Sequence, residues 1–306
     1  MWRSAVPRSK RALAAAVLLA LSAGPLRAAE PAARPASALF GRPNLVAWCI
    51  VPFDAKQRGP AERAGMLQRL GFTKVAYDWR DEHVPSFEQE ILEYQKHGLE
   101  YFSFWGLHDE AFRLFAKHGL HPQIWLMPPN PSEGSHEERV RQAVAELLPA
   151  VERTRKAGLK LGLYNHGGWG GEPENLVAVC EALRSEHGAD HVGIVYNLHH
   201  GHDHVERFPQ ALAAMKPYLF CVNLNGMTAD GERRGKKILP LGQGEHDLDL
   251  LKTIVASGYE GPIGIIGHTQ DDVEQRLLDN LEGLDWLVSQ LQGDKPGTKP
   301  KLRTAP

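Results

Sequence analysis

Apolar positions along the chain gather in short runs rich in β-branched and aromatic residues, each followed by a stretch whose apolar positions recur at helical spacing. The first run is Leu45–Pro52, with a helix expected over Ala61–Leu70. Thr73–Trp79 and Phe87–His97 follow, then Glu100–Trp105 and Glu110–Lys117, then Gln123–Met127 and the long Glu137–Lys156. The fifth pair is Lys160–Tyr164 and Glu174–Glu186, and the sixth is Val192–Tyr196 and Val205–Met215. Leu219–Leu224 with Leu248–Ser257, and Pro262–Gly267 with Asp271–Gln292, complete eight units. Six of the helical stretches run straight into a glycine: Gly71, Gly98, Gly119, Gly158, Gly188 and Gly258. Glycine just past a helix takes the left-handed cap conformation that other residues resist. Eight strand–helix units with tight returns predict an α/β protein, a single-domain parallel (β/α)8 TIM barrel. A doubly wound sheet alternates too, but carries a Gly-rich loop after its first strand. Here that strand ends in Val51-Pro52-Phe53-Asp54.

The pattern before Leu45 is different. Arg3, Arg8, Lys10 and Arg11 precede an apolar run from Ala12 to Ala23, with small residues at Ala28 and Ala29. That three-part pattern predicts a secretory signal peptide over residues 1–28 and a secreted or periplasmic protein. The run is shorter than the ~20 residues of a membrane span, so no stable span is expected. Residues 29–42 read as a linker, 43–292 as the barrel, and 293–306, rich in Lys, Pro and Thr, as a tail without fixed structure.

Composition adds little: 42% hydrophobic and 24% charged residues describe an ordinary globule. The net charge of −2, with no Lys/Arg stripe, argues against a nucleic-acid partner. Cys49, Cys180 and Cys221 lie in strand-like or helical runs and read as small buried hydrophobes.

Barrels of this kind keep their chemistry at the carboxyl ends of the strands, and the polar residues gather there. Asp78 and Trp79 follow strand two, and Trp105 ends strand three. Strand five runs into Tyr164, Asn165, His166 and Trp169, with Glu172 beyond. Strand six runs into Asn197, His199 and His200. Asn223 and Asn225 lie on strand seven, Glu245 before strand eight, and His268 after it. Imidazoles at such a rim ligate metals or move protons; tryptophan faces suit sugar rings, and amides bond hydroxyls. His166, His200, His268 and Glu172 are therefore the candidate catalytic groups. Asp78, Trp79, Trp105, Tyr164, Asn165, Trp169, Asn197, Asn223, Asn225 and Glu245 are the candidate sugar contacts. If 197–200 is extended, His199 and His200 face opposite ways, and His200 is taken as the inward one. Glu172 also reads as a plain charge at a helix start, next to Pro173.

The segments "LYNHGGWGGEPENL", "VGIVYNLHHGH", "LGQGEHDLDLL" and "GYEGPIGIIGH" resemble the xylose isomerase-like TIM-barrel family of sugar isomerases, epimerases and related endonucleases, over roughly Leu45 to Leu291. The resemblance implies one divalent metal held by Glu, Asp, His and Glu from strands five to eight. Here those positions read as Tyr164, Asn197, Asn223 and Ile266 or Gly267, so the usual ligands are absent. Two outcomes stay open. His166, His199, His200 and His268 could form a different site for one divalent transition metal (zinc, nickel, iron or manganese), neutral imidazoles suiting the first three better than magnesium. Or no metal is held, and histidine with Asn and Tyr works unaided.

The expected function is conversion of a small sugar by proton abstraction next to its carbonyl, as an isomerase, an epimerase, or a lyase or hydratase on keto-sugars. A non-catalytic sugar-binding barrel is the alternative from another class. A phosphodiester-cleaving enzyme fits neither the charge nor the missing carboxylates.

Overall fold

A strand buried on both faces needs apolar side chains at nearly every position, and the eight short runs supply them. The computed structural model describes residues 1, 2 and 34–304. The strands are β1 (Leu45–Trp48), β2 (Lys74–Tyr77), β3 (Glu100–Trp105), β4 (Gln123–Leu126), β5 (Leu161–Tyr164), β6 (Val192–Asn197), β7 (Leu219–Leu224) and β8 (Ile263–Ile266). All neighbours pair in parallel, and β8 returns to β1 with Leu45 opposite Ile263, closing an eight-stranded barrel.

The helices are α1 (Ala36–Leu39), α2 (Pro60–Arg69), α3 (Phe87–Lys96), α4 (Asp109–His118), α5 (His136–Ala157), α6 (Pro173–His187), α7 (Phe208–Met215), α8 (Asp247–Ala256) and α9 (Val273–Leu291). From α2 on they lie between successive strands or, for α9, after the last. All six expected cap glycines have positive φ, between 58° at Gly188 and 79° at Gly71. The helix expected from Val205 starts only at Phe208, after a 3-10 turn over His202–Arg207. Pro209 explains the late start, because a residue without an N–H fits only a helix's first turn. β1 ends earlier than its apolar run, at Trp48, because Cys49 adopts a left-handed φ of 57°.

The expected signal segment, 1–28, lies outside the described residues apart from Met1 and Trp2. Within the stretch read as a linker, α1 places Leu39 and Phe40 in the core, and Asn44 Nδ2 donates to the Leu39 carbonyl at 2.7 Å. Within the stretch read as a tail, Arg303 and Thr304 donate to Asp279 on α9. Trp286 Nε1 likewise donates to the Gly297 carbonyl at 2.9 Å.

Two cores follow from the period-2 alternation of the strands. Leu45, Ala47, Leu161, Leu163, Ile194 and Ile265 face outward and pack against the helices. Val46, Trp48, Trp125, Tyr164, Val195 and Ile266 face the barrel axis. Glycine takes inward positions where side chains on the adjoining strands leave no room for more. A Cβ on Gly162 would stand 2.6 Å from Val195 Cγ2, and one on Gly264 would stand 1.6 Å from Asn223 Oδ1.

The second contact cannot be relieved without breaking the hydrogen bonds of Asn223. Gly264→Ala is therefore expected to destabilise the protein by about 1–3 kcal/mol, read as a lower urea midpoint. An unchanged midpoint would mean that the barrel interior is looser than described.

Candidate active site at the carboxyl mouth of the barrel

A cavity of about 230 Å³ opens where the strands end. An apolar cavity of about 150 Å³ already takes benzene, so this one suits a single substituted ring. Its wall is collected from seven strand ends: Trp48 and Cys49 after β1, with Phe53 beyond; Asp78 and Arg80 after β2; Trp105 from β3; Met127 after β4; Tyr164 and His166 from β5; His199 and His200 after β6; His268 after β8.

The sequence places these groups by simple means. Gly167 and Gly168, both left-handed at φ 81° and 64°, turn the chain sharply after His166, a course closed to side-chain-bearing residues at little cost. The segment Leu198–His200 is a 3-10 turn rather than an extended run. His199 and His200 therefore do not face opposite ways; both line the cavity, their ring centres 3.8 Å apart. The His166 and His200 rings lie 4.3 Å apart, and His268 stacks on Phe53 at 3.7 Å. Beneath them Trp105 meets Tyr164 edge-on at 4.8 Å, and Trp48 Nε1 donates to the Tyr164 hydroxyl at 3.2 Å.

Burial dominates the electrostatics. It holds His199 well below its ordinary value, His200 down to about 3 and His268 down to about 4; repulsion between neighbouring rings and from Lys237 and, for His268, Arg80 acts in the same direction. These imidazoles are uncharged at neutral pH. Burial acts the other way on Asp78, pushing its carboxyl up to about 6 against the bond from the Val51 amide at 3.3 Å. Its Oδ2 is buried with no hydrogen-bond partner. Burial also pushes the Tyr164 phenol up, so it keeps its proton.

Of the residues picked from sequence, His166, His199, His200, His268, Asp78, Trp105 and Tyr164 line this cavity, and the others do not. Asn165, Asn197 and Asn223 are fully buried and bond one another: Asn165 Oδ1 accepts from the Asn197 amide at 2.6 Å, and Asn223 Nδ2 donates to Asn197 Oδ1 at 2.6 Å. They tie the ends of β5, β6 and β7 together rather than offering hydroxyl partners. Asn225 Nδ2 bonds the carbonyls of Gly226 and Lys237. Trp79 lies behind the wall, stacked on Phe104 with Nε1 donating to the Trp105 carbonyl at 2.7 Å. Trp169 packs on the outer core, its carbonyl accepting from Asn175. Glu172 stands at the N-cap position of α6 without a side-chain capping bond, accepts from Arg207 Nη2 at 2.6 Å and lies 3.3 Å from His204. Glu245 bonds the Ala229 amide and Arg234, and hydrogen bonding, foremost from Thr228, holds it down to about 2. Sequence reasoning missed Trp48, Cys49, Phe53, Arg80 and Met127 as wall residues. Position just past a strand was the available signal for Cys49, Arg80 and Met127.

Neutral imidazoles are donors that zinc, nickel and iron accept. Yet among the described residues no group of three or more His, Cys, Asp or Glu is arranged to hold a metal ion. The rings line the cavity in succession: the His199 and His268 centres are 6.1 Å apart and the His166 and His200 centres 4.3 Å. In this arrangement no such group of ligands is gathered among the described residues, and no step below runs through a metal.

Unfolding releases the imidazoles to their ordinary value near 6.5. From about pH 6.5 down to about 4 the unfolded chain binds protons that the folded chain refuses, so stability falls with acid. Asp78 opposes this between about 4 and 6, because its folded form keeps a proton that the unfolded chain releases. The urea midpoint is expected to drop between pH 7 and pH 5, less in a His200→Gln/His268→Gln variant and more in Asp78→Asn. Parallel profiles for all three proteins would refute this ordering.

The model of the xylose isomerase-like TIM barrel family matches residues 106–290, well over half of the chain. No curated protein matches the chain in sequence. Solved structures of the same fold include the apo form of the 3-keto-D-glucoside 4-epimerase YcjR from E. coli, at TM-score 0.57 and 16% identity over 80% of this chain and 98% of that one. The IOLI protein with a bound zinc atom superposes at 0.60 and 14% identity over 81% and 98%. The probable 3-DHS dehydratase AsbF from Bacillus anthracis gives 0.59 and 11% over 78% and 98%. With its closed eight-stranded barrel and that match, the chain belongs to the xylose isomerase-like TIM barrel family.

Proposed function

We propose that this protein is an exported sugar-converting enzyme that removes a proton next to a sugar carbonyl. The observation that carries the reading is one ring-sized cavity whose wall combines four imidazoles with Trp48, Trp105 and Tyr164. The aromatic faces take the apolar side of a sugar ring. His166 and Tyr164 have ring centres 6.4 Å apart, a span that brackets a carbonyl and its neighbouring carbon. His166 takes the proton from that carbon. The Tyr164 hydroxyl, which keeps its proton and already accepts from Trp48, donates to the oxygen as negative charge develops there. Delivery of a proton to the other face by a second donor, water or an imidazole across the cavity, epimerises the carbon and leaves the first proton on His166 to pass to solvent. Return from His166 to a different carbon isomerises the sugar. Loss of a neighbouring hydroxyl from the same enolate is a dehydration, reversed as a hydration. Structural neighbours named as a keto-glucoside epimerase and as a probable dehydratase suit a scaffold that supports both outcomes. Glu172, tied to Arg207 beyond the cavity wall, has no part in this scheme.

Purified protein is expected to exchange the α-proton of a keto-sugar, such as a 3-keto-glucoside, for deuterium in D2O, followed by NMR. His166→Ala should slow that exchange about 100-fold or more, and Tyr164→Phe should slow it with little change in affinity. A protein that binds the sugar but exchanges nothing is a sugar-binding barrel, and the catalytic reading is then wrong.

The arrangement of Arg3–Arg11, the apolar run and Ala28-Ala29 supports export with cleavage near Ala28. Expressed in a bacterium, the full-length chain is expected to appear outside the cytoplasm with a mass matching a start close to Ala29. Full-length protein retained in the cytoplasm would refute export.

A further inference from the structure

Arg80 is the wall residue that the proton-transfer scheme leaves unused. It sits just past β2, exposed, with its guanidinium carbon 5.4 Å above the Phe53 ring. Two bonds fix its course: the backbone amide donates to His83 Nδ1 at 2.9 Å, and Nη1 donates to the Trp79 carbonyl at 2.7 Å. Most arginines of this chain are ion-paired, among them Arg58 with Asp54 and Arg207 with Glu172. Arg80 has no carboxylate within ion-pair distance among the described residues. Asp78 is the one acid on the same wall; the Arg80 charge acts on it through space, but no hydrogen bond or ion pair joins the two, and Asp78 Oδ2 is left without a partner. A permanent cation with free donors therefore faces the cavity.

A second cation bears on the same space. Lys237 depresses His199, His200 and His268, although its ammonium is itself paired with Glu232 at 2.6 Å. Apart from Asp78, the wall around Arg80 consists of imidazoles, aromatic rings, Cys49 and Met127, none of which offers it a carboxylate. A neutral sugar would leave the guanidinium of Arg80 unanswered. A planar carboxylate matches the free edge of a guanidinium, two donors to two oxygens. A phosphate group matches the same edge, so the comparison with a sugar phosphate below decides between the two anions.

We infer that the sugar taken by this cavity carries a carboxylate, a uronate or an aldonate, which Arg80 recognises. The inference rests on the proposed sugar-converting function and narrows its substrate class. It assigns Arg80 to binding and specificity, outside the proton transfer itself.

Quenching of tryptophan fluorescence, with Trp48 and Trp105 in the wall, reads affinity directly for D-glucuronate, D-glucose and D-glucose 6-phosphate. D-Glucuronate is expected to bind about tenfold or more tighter than D-glucose, with a preference that shrinks in high salt. In Arg80→Gln the ratio of the two affinities should fall to about one, and Arg80→Lys should restore part of it, since the charge returns without the fork. Arg80 is exposed, so both variants are expected to fold, checked by circular dichroism. A ratio near one in the wild type, an undiminished ratio in Arg80→Gln, or tightest binding of D-glucose 6-phosphate would each overturn the inference. These outcomes are separable from failure of the catalytic reading. Proton exchange without a preference for acids overturns the inference alone. A preference lost in Arg80→Gln without any exchange leaves the inference standing and removes the catalysis.

Discussion

Filling the barrel's interior is the constraint on which everything else depends. Eight short strands enclose a space that only inward-facing side chains can occupy, and an unfilled interior forfeits both packing and closure. This chain fills it with a few large rings rather than with layers of branched aliphatics. Trp48 meets Trp125 edge-on at 4.9 Å, and Tyr164 lies 5.9 Å from Trp48 and 6.1 Å from Trp125. Glycine at 162 and 264 concedes the matching space on facing strands. The upper surface of that aromatic plug is also the floor of the cavity. The group proposed to donate to substrate, Tyr164, is thus held by the same packing that holds the barrel together.

The histidines above the plug gain their character from this floor. Water is excluded from one side of the His199, His200 and His268 rings, and their charged form is penalised accordingly. His200 and His268 stay neutral far below neutral pH, while Asp78 moves the other way. The wall is therefore polar, with His199, His200 and His268 uncharged and one acid, Asp78, pushed towards neutrality without reaching it at pH 7. That sets it apart from the carboxylate-rich centre that the family resemblance implies, and the change is spread over several strands rather than confined to one residue.

The barrel was legible in the sequence because two independent local signals agree: apolar runs of strand length, and glycines that stop the helices. Those glycines sit where the backbone must turn left-handed, a requirement set within a few residues. The cavity was legible in outline, since His166, His200 and His268 follow strands five, six and eight. It was not legible in detail. Whether Asn197 faces a ligand or a neighbouring strand depends on what stands on the adjoining strands, here Asn165 and Asn223, and one strand's pattern carries no such information. His199 was misplaced by assuming extended backbone where the chain makes a 3-10 turn. Arg80 went unnoticed because an arginine after a strand is ordinarily a solvated charge, and only the cavity beside it gives it another meaning.

The buried amide ladder has a consequence for how this chain can change. Asn197 both accepts from Asn223 and donates towards Asn165, 3.4 Å away. An aspartate there could still accept, but it would have nothing to give Asn165 and would bring a charge into a fully buried position. An acid at 223 would likewise have no proton to give Asn197, and would set a second charge beside it. Either single replacement is therefore costly: the new charge is fully buried, and at 223 it also removes the 2.6 Å donor to Asn197 Oδ1. Three buried amides thus fix the ladder beneath the cavity as a neutral one.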